Sequence, residues 1–359
     1  MKLNIQNFGF AVDTLTRFEE KIFKNEPFVR WGESNLFVDF LYDLLDFSPI
    51  HNAAVRAKVD NATGTGYEVD YRINTKETIN DVLKQIFFEL IVTGNVFLEI
   101  IWKNDRSEGI AGFHVIPSKF MRCHKPLEDG GDVTKYLYSK DWANYKKKNV
   151  GMIEFVSFDP KNYTDRQIVH LKSYQPGYLY YGSPTYLSVV NDIRLNHEIT
   201  VFNLAQMING GSPSLWVHFN QNAPDSQIEQ ETILRNIEDR YVGSNNAGRV
   251  IVSYGEASEK PDITQIGTSI SQGFYAEVFE LVQKQILSGH QIVDGSLLGL
   301  PNPGGFTSSA DQLDTAYKLF MNTSIKPLQN FVTREIEPLI QLIYPNEQIN
   351  LVIAQNQIV

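Results

Sequence analysis

Tyr180-Tyr181-Gly182-Ser183-Pro184, then an unbroken run without Gly or Pro, then Asn209-Gly210-Gly211-Ser212-Pro213, is the stretch around which the chain is arranged. Ser183 can cap free N–H groups, and Pro184 suits a first helical position because its missing donor costs nothing there. Tyr186, Val190, Ile193, His197, Val201, Leu204 and Ile208 recur at steps of three and four, which predicts one face of a long helix. Leu187, Leu195, Ile199 and Phe202 widen the apolar surface. At about 1.5 Å per residue such a helix runs roughly 35–40 Å. Asn209-Gly210-Gly211 supplies a left-handed stop, and Pro213 forbids continuation. A helix apolar over much of its circumference must be packed from several sides or meet copies of itself.

Around this rod the signals alternate. Upstream, Ser48-Pro49 opens a helix to about Asn61, and Tyr67–Tyr71 alternates like an edge strand. Asn74 or Thr75 caps a helix from Thr78 to Val92 that Gly94-Asn95 ends. Strands follow at Val96–Trp102, Phe113–Ile116, Tyr136–Tyr138, Ile153–Val156 and Ile168–Leu171. Residues 1–47 read as aromatic-rich and irregular, with a short helix near Leu36–Leu45. Downstream come a strand at Leu215–Phe219, an amphipathic helix at Ser226–Tyr241, a strand at Arg249–Tyr254 and a weaker one at Ile263–Ile266. A second rod runs from Gly273 to Ser288, then a Pro- and Gly-rich loop. A last helix, capped by Ser308 or Ser309, reaches Ile343 and carries Pro327 and Pro338, which should kink it. Gln348–Ile353 reads as a terminal strand. The class is α+β.

Composition excludes more than it assigns. A chain of 359 residues is long for one core, which predicts subdomains. No run of eighteen apolar residues occurs and the N-terminus lacks a signal-peptide pattern, so neither a membrane partner nor secretion is expected. Cys123 is the only cysteine, which rules out an internal disulfide framework. A net charge of −10 disfavours tight phosphate binding, and the one compact basic run, Lys146-Lys147-Lys148, reads as a solvated loop. Seven histidines are present, but none pair at metal-ligand spacing on one element. There is no nucleophile elbow or phosphate loop. His197 and Glu198 are helical neighbours that diverge by about 100° and do not form an acid–base pair. The expectation is no catalytic residue, no cofactor and no metal.

The order of these signals carries a resemblance. A Gly-Asn-ended helix leads into a strand, and Ile168-Val169-His170-Leu171 precedes Tyr-Gly-Ser-Pro and the long helix. An α/β insertion, a second helix, a loop with Leu297-Leu298-Gly299, and a helix with Ile325-Lys326-Pro327 and Glu337-Pro338-Leu339 follow. From about Ser48 to Ile343 this resembles the portal proteins of tailed bacteriophages, of a short siphovirus-like type. The resemblance implies a homo-oligomeric ring, typically of twelve subunits, at one capsid vertex. Double-stranded DNA is packaged and ejected through it without regard to sequence. It implies assembly in the host cytoplasm, residence in the virion, and no enzymatic activity. Implied partners are the terminase large subunit, the head–tail adaptor, the major capsid protein and scaffold.

Piece by piece, residues 1–181 resemble the wing, 182–211 the first stem helix and 212–268 the clip. Residues 269–290 resemble the second stem helix, 291–308 the tunnel loop and 309–345 the long kinked wing helix. Residues 346–359 form a short strand, with the crown reduced or absent. The stem contacts between subunits would then be Tyr186, Val190, Ile193, His197, Val201, Phe274, Val278 and Leu281. Leu300, Pro301, Asn302, Pro303, Gly304, Gly305 and Phe306 would face the channel, and Glu229, Glu231 and Glu238 the clip's docking partner. On the residues alone, a non-portal structural or interaction protein with an α/β body, or a nucleotidyl or hydrolytic enzyme, stays open. A ring seen by microscopy separates the first reading from the second, and nucleotide turnover by the purified chain marks the third.

Overall fold

The computed structural model describes residues 19–128, 130–162, 166–209, 213–219, 224, 226, 228–229, 231–233, 249–254, 272–300 and 310–354. The chain forms two compact units, Met1–Ile193 with Lys284–Val359, and Arg194–Gln283.

The larger unit is built on a six-stranded sheet flanked by helices. Its strands are β3 (Asn95–Trp102), β4 (Ile110–Ile116), β5 (Met121–Cys123), β6 (Lys135–Tyr138), β7 (Ile153–Ser157) and β8 (Gln167–Lys172), in the order β4-β3-β8-β7-β6-β5. All neighbours are antiparallel except β7 and β8. β3 is paired on both sides and buried over most of its length, which is why it reads as a nearly continuous apolar run. Two three-residue strands, β1 (Glu20–Ile22) and β2 (Val29–Trp31), form a hairpin where the sequence read as irregular. Trp31, Val38, Phe97, Met121, Phe155 and Tyr181 meet in one hydrophobic core cluster. Cys123 lies fully inside it, where burial pushes its thiol pKa up and leaves little thiolate to react.

Helices α1 (Phe37–Phe47), α2 (Pro49–Thr63) and α3 (Ile79–Thr93) precede the sheet. Ser48 accepts from the His51 N–H and Pro49 occupies the first turn of α2, as the Ser-Pro signal predicts. The cap of α3 is Thr78, not Asn74 or Thr75: Thr78 and Asp81 form a capping box. Asn74 instead shapes the preceding turn, its Oδ1 accepting from the Lys76 and Glu77 N–H groups.

Two expected strands are reduced. Tyr67–Tyr71 and Gln348–Ile353 meet only through the isolated Tyr67–Ile353 bridge and bonds such as Glu68 N–H to Val352 O. The last helix is α6 (Ala310–Phe320) and α7 (Lys326–Ile343), joined by a π-helical segment at Met321–Ile325. There the Lys326 N–H reaches back to Met321 O, five residues away. This widened turn precedes Pro327, which has no N–H to give to the carbonyl one α-turn back. Pro338 lies inside α7.

In the smaller unit, β9 (Pro213–Phe219) and β10 (Arg249–Tyr254) pair in parallel. Parallel neighbours need a crossover, and the long connection 220–248 has room for one. Helix α4 (Val190–Asn209) leads into this unit and α5 (Gln272–Gly289) leads out of it. The expected helix at Ser226–Tyr241 and strand at Ile263–Ile266 lie mostly or wholly outside the described residues.

Candidate functional site

Three of the motifs that carry the family resemblance converge on one side chain, Asn95. Gly94 ends α3 in the left-handed region at φ 75°, and the chain enters β3 at once. The Asn95 Nδ2 donates to Thr93 O (2.8 Å) and to Gly182 O (3.0 Å). Its Oδ1 accepts from the Gly182 N–H (2.7 Å) and lies 2.9 Å from His170 Nε2. Because Nδ2 serves two carbonyls, Oδ1 must be the acceptor, so His170 carries its proton on Nε2. The His170 ring stacks on Phe97 at 4.2 Å, and burial lowers its pKa to about 3, so it is neutral.

Two glycines permit this approach. A Cβ on Gly94 would lie 2.5 Å from the Ser183 backbone, and one on Gly182 would lie 2.1 Å from Gly94 O. Further support comes from Glu20, whose carboxylate accepts from the N–H groups of Leu179, Tyr180 and Tyr181. The Tyr181 hydroxyl donates to Val29 O and accepts from Cys123 N–H, and its ring stacks on Trp31 at 4.4 Å. The start of the rod is thus locked to the sheet.

The rod itself begins later than the Ser-Pro signal implies. Thr185–Val189 forms a 3₁₀ turn, and no side-chain cap is made at Pro184. The Ser183 hydroxyl turns to Pro184 O instead. Of the residues expected as stem contacts, Tyr186, Val190 and Ile193 are buried within the single chain, at 0%, 5% and 0% exposed. Tyr186 is bolted inward by its hydroxyl bond to Val92 O and by its ring contacts with His51 and His290.

Exposed apolar side chains lie farther along. On α4, Leu195, Val201 and Leu204 are exposed, the last at 57%. On α5, Phe279 and Leu281 are exposed, the latter at 56%, while Val282 and Ile286 are buried. His197 and Val278 are half-buried. The side chain of Phe274 lies outside the described residues. So do Pro301 to Phe306, while Leu300 is half-buried with its N–H bonded to Gly295 O. Glu229 and Glu231 are exposed, and Glu238 is outside the described residues. Among the described residues no three His, Cys, Asp or Glu side chains converge as a metal-binding set.

The sequence profile described as phage portal protein matches residues 60–341. This chain belongs to the phage portal protein family. The matched span includes Gly94, Asn95, His170 and Gly182. A probable portal protein of Haemophilus phage HP1 (strain HP1c1) is 24% identical over 225 residues, covering 62% of this chain and 58% of that relative. Among solved structures, a chain of the virion of a native gene transfer agent particle is similar with a TM-score of 0.55 at 15% identity. That likeness covers 86% of this chain and 82% of the other. A chain of the neck of the native gene transfer agent particle, computed with C12 symmetry, has a TM-score of 0.54 at 16% identity, covering 84% and 80%. These two likenesses show a shared mixed helix-and-sheet fold.

Proposed function

We propose that this chain is the protomer of a twelve-membered ring at a capsid vertex, through which double-stranded DNA is packaged and later ejected. The observation that carries the reading is the pair of rods, α4 and α5, with Leu195, Val201, Leu204, Phe279 and Leu281 exposed in a portal-family chain. Fully burying one leucine is worth about 1.5–3 kcal/mol, so several per protomer give a strong driving force for side-by-side packing. A repeated heterologous contact closes into a ring without self-complementary faces. The C12 symmetry used for the gene transfer agent neck supports twelve copies.

In this reading residues 1–181 with 309–345 form the wing, 182–211 and 269–290 the stem, 212–268 the clip and 291–308 the tunnel loop. The ring works as a structural channel in the virion after assembly in the host cytoplasm, and leaves ATP hydrolysis to the terminase large subunit. The head–tail adaptor, major capsid protein and scaffold are its other partners. An acidic protein suits a channel, since each retained phosphate contact would resist DNA movement.

Electron microscopy of the purified chain tests the proposal: rings with a central hole are expected. The double variant Leu204→Glu and Leu281→Glu should remain folded but stay monomeric. Particles that are single in the parent chain, or rings unaffected by the double variant, would remove the basis for this reading. Within an intact ring, shortening Leu300–Phe306 is expected to spare assembly and impair DNA packaging; loss of assembly would count against its place in the channel. Charge reversal at Glu229, Glu231 and Glu238 is expected to weaken terminase or adaptor docking without unfolding, and unchanged docking would show that face to be idle.

A further inference from the structure

The turn before α1 and the loop between β6 and β7 enclose a half-open cavity of about 250 Å³ that the channel function does not use. Asn35 and Trp142 line it, 4% and 5% exposed, and each has a buried N–H group with no acceptor among the described residues. The orientation of the Asn35 amide is fixed. Its Oδ1 accepts from the Trp31 N–H (3.2 Å) and from Arg122 Nε (2.7 Å), both obligate donors. The unpaired atom is therefore Nδ2, and the Trp142 Nε1–H is likewise only a donor. Asn35 sits in the left-handed region at φ 62°, which asparagine adopts more readily than most non-glycine residues.

No carboxylate is hydrogen-bonded to the cation beside these donors. Arg122 is wholly buried, its guanidinium 4.8 Å from the Trp142 ring centre. Its hydrogen bonds go to neutral acceptors: Asn35 Oδ1, Asn35 O, Lys119 O and Met121 O. Burial without a bonded carboxylate lowers its pKa to about 10. Asp39 acts on Arg122 through its charge, while Glu26, on the cavity wall, is taken by two bonds from Arg30 and one from the Tyr145 hydroxyl. Lys146, also on the cavity wall and exposed, makes no ion pair among the described residues. Buried donors without acceptors cost about 1–3 kcal/mol each, and a cation bonded only to neutral groups favours a nearby anion.

We propose that this cavity is an oxyanion-binding site, in which Asn35 Nδ2 and Trp142 Nε1 donate to a carboxylate or phosphate group in the positive field of Arg122 and Lys146. The group is either a free anion or the side-chain carboxylate of an acidic peptide. The basic run Lys146-Lys147-Lys148 then has one member with a task besides solvation.

Calorimetric titration of the full-length protein at constant ionic strength tests this, using acetate, inorganic phosphate and a blocked glutamate amide as probes, with chloride as the blank. Saturable binding with a Kd on the order of 1 mM is expected for at least one oxyanion. Trp142→Phe keeps an aromatic ring and deletes the donor, and is expected to weaken binding about tenfold or more. Lys146→Gln, at an exposed position, should weaken it less and flatten its salt dependence. Preference for the blocked glutamate amide would assign the site to a protein side chain, and preference for phosphate to a free anion. Thermal melts of both variants report whether they remain folded. Absence of saturable binding by all three probes, or equal affinity in parent and both variants, would overturn the proposal and leave ordered water as the partner of the two donors.

Discussion

Asn95→Ala is expected to lower the unfolding free energy by about 4–6 kcal/mol, enough to leave little soluble protein at growth temperature. The side chain makes four hydrogen bonds, to Thr93 O, Gly182 O, Gly182 N–H and His170 Nε2–H, the first three buried and the last part-buried. Alanine removes one partner from each and supplies none, so four polar groups are stranded away from water. That outcome is costlier than deleting both members of a pair, because each orphan carries its own desolvation penalty of about 1–3 kcal/mol. Asn95→Asp is not a conservative escape. It places an acceptor opposite two carbonyls and a charge where burial holds His170 neutral. Gly182→Ala should fail for a separate reason, since its Cβ would meet Gly94 O at 2.1 Å with backbone on both sides of the contact. Urea denaturation of dissociated protomers checks both variants. A midpoint for Asn95→Ala within error of the parent would show that the junction does not hold the rod to the sheet.

This junction also marks how far the sequence could be read. Gly94-Asn95 and Tyr-Gly-Ser-Pro are legible as a stop and a start because each obeys local backbone chemistry. That the two touch, across 87 residues, is a tertiary fact with no local signature. The same division holds along the rods. Periodicity identified an apolar face containing Tyr186, Val190, Ile193, Val201 and Leu204, but a step of three or four cannot say whose surface covers it. The single chain covers Tyr186, Val190 and Ile193 itself and leaves Val201 and Leu204 open. Strands β1 and β2 escaped notice because three residues are too few to display an alternation. The Thr78–Asp81 capping box was present in the sequence, yet competed with an equally plausible Asn-Thr pair a few residues earlier. The Asn35–Trp142 cavity had no sequence signal beyond the lysine run beside it, since its two donors come from separate loops.

Acidification from about pH 7 to pH 5 is expected to destabilise the protomer, because three histidines are buried in the neutral form. His51 Nδ1 and His290 Nε2 lie 2.8 Å apart, one donating and one accepting, and both rings are fully buried. Their outer nitrogens, His51 Nε2 and His290 Nδ1, have no hydrogen-bond partner among the described residues. The groups facing the pair give a proton no welcome. Tyr186 lies edge-on to His51 and stacked on His290, while Lys58, 2% exposed, adds positive charge. Burial lowers the His51 pKa to about 4 and that of His170 to about 3; burial, then the neighbouring His51 and Lys58, pushes His290 well below its usual value.

Depressed folded-state values mean that the unfolded chain binds more protons as pH falls below about 6.5. Their stabilisation is whole above that value and drains away toward pH 4. For His51 alone the full span is worth about 3 kcal/mol. Glu89 and Asp39 act in the opposite sense: burial raises their folded values, so protonation relieves a penalty at lower pH. The histidine loss therefore dominates the upper part of the window. Urea midpoints should fall steadily between about pH 7 and pH 5 in the parent chain and less steeply in His51→Met/His290→Met, which replaces the imidazole pair with neutral side chains. Equal slopes in the two proteins would mean that the pair is already charged or already hydrated at neutral pH, and that the clasp between α2 and the end of α5 is held by Tyr186 and its apolar neighbours alone.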